Sequence, residues 1–152
     1  MFTGSTALVV DDKGRLAVPT RQRAPLLDAC EGKLVITVDT HEKCLRVYPA
    51  EEWQAVAAQL VKLSDFKSAT RNLKRLLLGN AEEVEMDRNG RILVSAYLRN
   101  FAGIKKNAVL VGMVNRFDLW DGDHLQSRSG DWTAEGSQGG FDDCDDLSEL
   151  EL

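Results

Sequence analysis

The chain has 152 residues, 43% of them hydrophobic and 28% charged, with a formal net charge of −5. That length and apolar fraction suit one domain or two small ones around a real core. No apolar run nears the roughly 20 residues of a membrane span, and "MFTGSTALVVDDKGR" lacks the basic start, greasy segment and cleavage site of an export signal, so a cytoplasmic protein is expected.

An apolar strand at about residues 5–10 runs into the turn "DDKGR" at 11–15. Gly14 permits a positive φ there, and Asp11 can accept backbone N–H bonds from the residues just ahead. Arg15 stands at the start of the outgoing strand, where Asp11 can grip the guanidinium fork by two parallel hydrogen bonds. Leu16 and Val18 alternate onto one face of that strand. Pro19 suits the first turn of a short helix, and Pro25 predicts an early end or a kink near Ala24.

Strands at 34–38 and 44–48 form a hairpin with its turn in "TVDTHEKCL". His41 and Cys44 lie close enough to suggest a metal pair, but no second pair follows. They read better as loop residues beside a strand, and no metal or other cofactor is expected. Cys30, Cys44 and Cys144 are odd in number and scattered, which argues for reduced thiols.

A helical linker spans 53–80. "PAEEWQAVAAQLVKL" opens on Pro49 and early glutamates and carries Trp53, Val56, Ala57 and Leu60 at helical spacing. "SDFKSATRNLKRLLLGNA" puts Phe66, Ala69, Leu73, Leu76 and Leu77 on one face and ends near Gly79. Lys67, Arg71, Lys74 and Arg75 on its other face read as a solvated stripe.

Residues 81–124 then repeat the plan of 5–52. Sliding the chain by 76 residues lays "DRNGRILVSAYLR" (87–99) over "DDKGRLAVPTRQR" (11–23), so that Asp87 meets Asp11, Gly90 meets Gly14, Arg91 meets Arg15 and Arg99 meets Arg23. Strands at 82–86, 108–114 and 116–120, a turn in "GMVNRFD" and a helix capped by Ser95 complete the second copy. Residues 126–152 hold eight acidic residues against Arg128, a local charge of −7, which leaves +2 on residues 1–125. Rich in Gly, Ser and Asp, this acidic C-terminal segment cannot bury enough surface to offset chain entropy and reads as a mobile tail.

Each Asp-to-Arg pair could simply brace its hairpin, since the spacing alone is a weak signal. Two copies at a constant offset strengthen a functional reading. Only the first copy adds Lys13, Arg21 and Arg23 around Arg15; the second has Asn89 and Tyr97 in place of Lys13 and Arg21.

Residues 1 to about 125 resemble the MraZ family of bacterial transcription regulators, which carry two copies of the swapped-hairpin module shared with AbrB and SpoVT. The matching stretches are "DDKGRLAVPTR", "CLRVYPAEEW", "RLLLGNAEEVEMDRNGRILV" and "LVGMVNRFDLWD". The resemblance implies an α+β fold, mostly β with helices, in which two AbrB-like units interleave strands as a pseudo-dimer within one chain. It implies that chains assemble into a ring, and that the ring binds repeated guanine-rich boxes of double-stranded DNA upstream of the cell-division and cell-wall operon that begins with its own gene. Carried over, the DNA-facing motif lands on Asp11 and Arg15, with Asp87 and Arg91 as the second copy.

The leading expectation is therefore a nucleoid-associated, sequence-specific DNA-binding regulator. Arg15 and Arg91 would fork onto guanine, Gly14 would shape the turn, and Lys13, Arg21 and Arg23 would hold phosphates. The alternative is an antitoxin-like interaction module that uses residues 126–152 to bind a protein; two fused copies in place of one copy plus tail argue against it. No phosphate loop, nucleophile elbow or zinc motif appears, so no catalytic residues and no small-molecule substrate are expected.

Overall fold

Each repeat folds as strand, Asp-to-Arg turn, strand, helix and hairpin. In the first, β1 (Ser5–Val9) and β2 (Arg15–Ala17) flank the turn, α1 (Thr20–Cys30) follows, and β3 (Lys33–Val38) and β4 (Leu45–Pro49) make the hairpin. The linker supplies α2 (Ala50–Val61) and α3 (Ser68–Leu77). The second repeat contains β5 (Glu82–Glu85), β6 (Arg91–Leu93), α4 (Ala96–Ala102), β7 (Asn107–Gly112) and β8 (Phe117–Asp121), before α5 (Gly122–Ser137). The structure, a computed structural model, describes all 152 residues, in two compact units, Met1–Asp121 and Gly122–Leu152.

Within the first unit the repeats exchange strands. One sheet has six strands in the order β1-β7-β8-β4-β3-β5, and a second pairs only β2 with β6. β1 of the first repeat lies antiparallel to β7 of the second, from Ser5 opposite Val111 to Val9 opposite Asn107. β5 returns the exchange on β3, from Lys33 opposite Glu85 to Ile36 opposite Glu82. The two hairpins meet at β4 and β8, where Arg46 stands opposite Asp118. The ranges 5–52 and 81–124 thus mark repeats in sequence that share one body.

The alternation read from sequence fills one core from both repeats: Leu16, Val18, Leu26, Ile36 and Leu45 pack with Ile92, Val94, Leu98, Leu110 and Leu119. Leu16 and Ile92 face each other across β2 and β6 at 1% and 2% exposure, and burying each contributes roughly 1.5–3 kcal/mol. β3 is buried on both faces, which explains its unbroken "LVITV" run. Thr37 Oγ1, on the side away from that core, donates to the Leu77 carbonyl at 2.7 Å and ties down the end of α3. Trp53 of α2 lies 5.5 Å from Tyr48 of β4, centroid to centroid.

Three expectations are corrected. α1 continues through Pro25 to Cys30. Pro25 and Arg21 are both exposed, so the Arg21 carbonyl that loses its helical donor can be met by water, while Leu26 and Cys30 anchor the last turn in the core. The second linker helix begins only at Ser68, because Arg71 and Lys74 donate to backbone carbonyls of Asp65 and Leu63 and hold 63–65 as a turn. Phe66 is consequently 96% exposed rather than on the buried face.

The third correction concerns the acidic tail, which is not wholly without structure. Gly122–Ser137 is a helix with no buried residue, so local terms support it. Asp123 sits in the first turn, where the helix dipole favours a negative charge. Arg128 pairs with Asp131 at 2.7 Å and lies over the Trp132 ring at 5.6 Å, contacts at helical spacing that each contribute a few tenths of a kcal/mol to about 1 kcal/mol. Turns follow, in which the Phe141 ring packs against Gly136. These short-range pairs support a helix that the low apolar content of the segment does not reveal.

Candidate nucleic-acid interface

The two Asp-to-Arg turns are built alike. Asp11 N–H donates to the Arg15 carbonyl at 2.9 Å and Gly14 N–H donates to the Asp11 carbonyl at 3.0 Å. Asp11 Oδ1 accepts the backbone N–H groups of Lys13 and Arg15, both at 2.9 Å, and Oδ2 accepts Arg15 Nε at 2.8 Å. In the second repeat Asp87 Oδ1 accepts the N–H groups of Asn89 and Arg91 at 2.8 and 2.9 Å, and Oδ2 accepts Arg91 Nε at 3.2 Å. The expected two-point grip on the guanidinium is therefore a one-point grip, because backbone donors occupy the other carboxylate oxygen. Both terminal amino groups of Arg15 and of Arg91 are left without an intramolecular hydrogen bond.

Each carboxylate is held below its ordinary pKa. For Asp11 the backbone N–H of Arg15 is the main cause; desolvation opposes it, and the Arg15 side chain and the Lys13 N–H add to it. For Asp87 the Arg91 N–H again leads, opposed by desolvation and helped by Asn89 and the Arg91 charge. The aspartates stay ionised at neutral pH, and the arginines stay positioned.

The outgoing strands bring the two turns together. β2 and β6 form a ribbon in which Arg15 faces Leu93, Leu16 faces Ile92 and Ala17 faces Arg91. Since Leu16 and Ile92 point into the core, alternation puts Arg15, Ala17, Arg91 and Leu93 on the outer face. Leu93 is 51% exposed there. Val18 N–H donates to the Gly90 carbonyl at 2.8 Å and Val94 N–H to the Gly14 carbonyl at 2.9 Å, so each strand end is stitched to the other repeat's turn.

The glycines serve two purposes. Gly14 and Gly90 have φ of +90° and +75°, a region L side chains resist. Each also lies against an arginine of the other repeat. A Cβ on Gly90 would run into Arg23 Nε, and one on Gly14 would sit 2.5 Å from the Val94 carbonyl oxygen and 2.7 Å from Arg99 Nε.

Among the residues expected around Arg15, Lys13 is exposed in the first turn. Arg21 reaches the start of β1, donating to the Thr3 carbonyl and Thr6 Oγ1 at 3.4 and 3.3 Å. Arg23 lies under the second turn, its Nε on the Val18 carbonyl at 2.8 Å. The first repeat's basic residues are thus distributed rather than gathered at Arg15. What joins the Arg15 turn instead comes from the second repeat: Arg99, Lys105 and Lys106 line one depression with Val10, Asp11 and Asp12. Arg99 was findable as the repeat partner of Arg23. Lys105 and Lys106 carried no signal, since only the exchange of β1 brings them there.

Fold and site define a tandem-repeat α+β protein whose two interleaved copies present two arginines on the outer face of one ribbon. The profile of the family described as "MraZ protein, putative antitoxin-like" matches residues 1–76 and 77–127, one segment for each repeat. The transcriptional regulator MraZ of Shewanella amazonensis is 56% identical over 121 residues, covering 80% of this chain and 80% of its own. That of Idiomarina loihiensis is 47% identical over 142 residues, covering 88% and 93%. The chain belongs to the MraZ family. No helix is long and apolar enough to cross a membrane.

Proposed function

We propose that this protein is a sequence-specific DNA-binding transcriptional regulator that reads duplex DNA with the outer face of the β2–β6 ribbon. The observation that carries this reading is the pairing of Arg15 and Arg91 on that face, each oriented by its aspartate through Nε with both terminal amino groups left available. The major groove, about 12 Å wide, admits a two-stranded ribbon, and an arginine that offers two donors matches guanine O6 and N7. Lys13 and Arg21 contact phosphate at the margins and set the register. That relatives in Shewanella amazonensis and Idiomarina loihiensis are named transcriptional regulators supports a regulatory role.

The strand exchange supports reading the two repeats as a swapped-hairpin pair of the AbrB kind, a pseudo-dimer in one chain. A few basic residues bind weakly at physiological salt, so high affinity requires several chains on successive boxes. A ring of chains on repeated guanine-rich boxes upstream of the protein's own operon meets that requirement. Boxes spaced by about 10 base pairs keep one DNA face toward the ring.

Gel shifts with one, two and three boxes, a scrambled control, and a half-turn insertion between boxes test this. Affinity should rise steeply with box number and fall by about tenfold or more on insertion. Equal affinity for scrambled DNA would overturn the function; indifference to box number or spacing would overturn the multi-chain assembly.

A further inference from the structure

We propose that Arg23 and Arg99 are positioning residues for DNA reading, each setting the turn of the opposite repeat: Arg23 orients Arg91, and Arg99 orients Arg15. The proposal rests on the reading of Arg15 and Arg91 as DNA contacts.

The geometry is reciprocal. Arg23 Nε donates to the Val18 carbonyl at 2.8 Å, and the N–H of that same Val18 donates to the Gly90 carbonyl at 2.8 Å. In the other direction Arg99 Nε donates to the Val94 carbonyl at 3.0 Å, and Val94 N–H donates to the Gly14 carbonyl at 2.9 Å. In both places the guanidinium lies where a glycine Cβ would otherwise be, with Arg23 Cδ and Cζ each 2.6 Å from the position of a Cβ on Gly90 and Arg99 Cζ 2.9 Å from one on Gly14. Gly14 and Gly90 are buried while Lys13, Arg88 and Asn89 beside them are exposed, so the turn rests on its glycine.

A flat guanidinium against a glycine sets the plane of that peptide, and the carboxylate that holds the reading arginine hangs from the same five-residue turn. Tilting the turn therefore swings Arg15 or Arg91 as a unit with its aspartate. Arginine is suited to this because Nε makes the backbone bond while the planar group fills the gap; lysine keeps the charge and can donate to a carbonyl, but has no planar group to do both at once. Phosphate attraction alone would survive an Arg→Lys change, whereas positioning would not. The exchange also makes the two reading arginines dependent on each other's repeat, so the ribbon reads as one element.

Two measurements test this on the full-length protein. Without DNA, amide hydrogen exchange should quicken in residues 87–91 for Arg23→Lys and in residues 11–15 for Arg99→Lys, with the thermal midpoint changing by only a few degrees. On the guanine-rich box, each lysine variant should bind about tenfold more weakly than wild type. Arg23→Lys combined with Arg91→Ala should bind no worse than Arg91→Ala alone, within about a factor of two, whereas Arg23→Lys combined with Arg15→Ala should show the product of the two losses. Wild-type binding by both lysine variants would overturn the proposal, as would exchange that quickens in the variant's own repeat or pairwise losses that multiply in every combination. Global unfolding of both lysine variants would also overturn it, by making these arginines general fold residues. Failure of the wild type to bind any DNA would defeat the functional reading, while the exchange data would still report whether the crosswise positioning exists.

Discussion

Arg15 and Arg91 leave the same face of one two-stranded ribbon, Arg15 opposite Leu93 and Arg91 opposite Ala17. Although 76 residues separate them in sequence, they belong to one surface.

Their surroundings are unequal. The Arg15 turn shares a depression with Arg99, Lys105 and Lys106, whereas the corresponding approach to the second turn is Glu31–Gly32, whose Gly32 carbonyl accepts Met86 N–H at 2.8 Å. Arg15→Ala should therefore cost more than Arg91→Ala, with losses of roughly 1–3 kcal/mol each from a missing guanine contact and the larger loss at Arg15. Titration of both variants against one box decides the order; a greater loss from Arg91→Ala would refute it.

Leu93 is 51% exposed on the outer face of the ribbon and is not part of the core. Leu93→Asp should leave the thermal midpoint within about 2 °C of wild type, as surface changes usually do, while a carboxylate beside Arg15 repels phosphate and competes for the guanidinium. Binding should drop by about two orders of magnitude. Retained binding would remove the outer face of the ribbon from the interface.

Gly14→Ala and Gly90→Ala both force a side chain into positive φ, at roughly 1–3 kcal/mol. Gly14 meets the Val94 carbonyl, part of the backbone, whereas the atoms nearest Gly90 all belong to the Arg23 side chain. Chemical denaturation should show Gly14→Ala to be the more destabilising. Adding Arg23→Ala to Gly90→Ala should recover part of the loss, and the absence of any recovery would show that φ alone sets the cost.

At the seam between hairpins, acid should act oppositely on two aspartates. Burial raises the pKa of Asp39, but the His41 N–H, the Arg46 guanidinium at 2.7 Å and the Glu42 N–H outweigh it and hold the value below the ordinary one. Asp39 thus stabilises the fold above the ordinary carboxylate pKa, and that contribution is lost as pH falls through its lower folded value. Burial raises the pKa of Asp118 despite Arg116 at 3.2 Å, so ionised Asp118 opposes folding at neutral pH and is relieved as pH falls through its raised value. At pH 7 Asp39→Asn should destabilise by on the order of 1–3 kcal/mol, and Asp118→Asn should be neutral or stabilising. Denaturant midpoints between pH 3 and 7 give the comparison; a larger loss from Asp118→Asn would reverse the argument.

Short-range chemistry was legible in the sequence. The glycine turns, the Ser95 cap, whose Oγ accepts Leu98 N–H at 3.2 Å, and the alternation of Leu16 with Val18 and Ile92 with Val94 each follow from residues within a few positions of one another. The 76-residue repeat likewise predicted two equivalent turns. What the chain could not display along its length is which repeat each piece serves. Arg23 reads as a neighbour of Arg15, eight residues on, yet it lies against Gly90 because β2 pairs with β6. Lys105 and Lys106 lie just before β7 in the second repeat, yet they stand beside Asp11 because β1 crosses to pair with that strand. Sequence periodicity records which face a residue takes, since that depends on local geometry with a period of two or about 3.6 residues. Strand partnership depends on which apolar faces can be buried together once the chain closes on itself, and only the tertiary structure decides that.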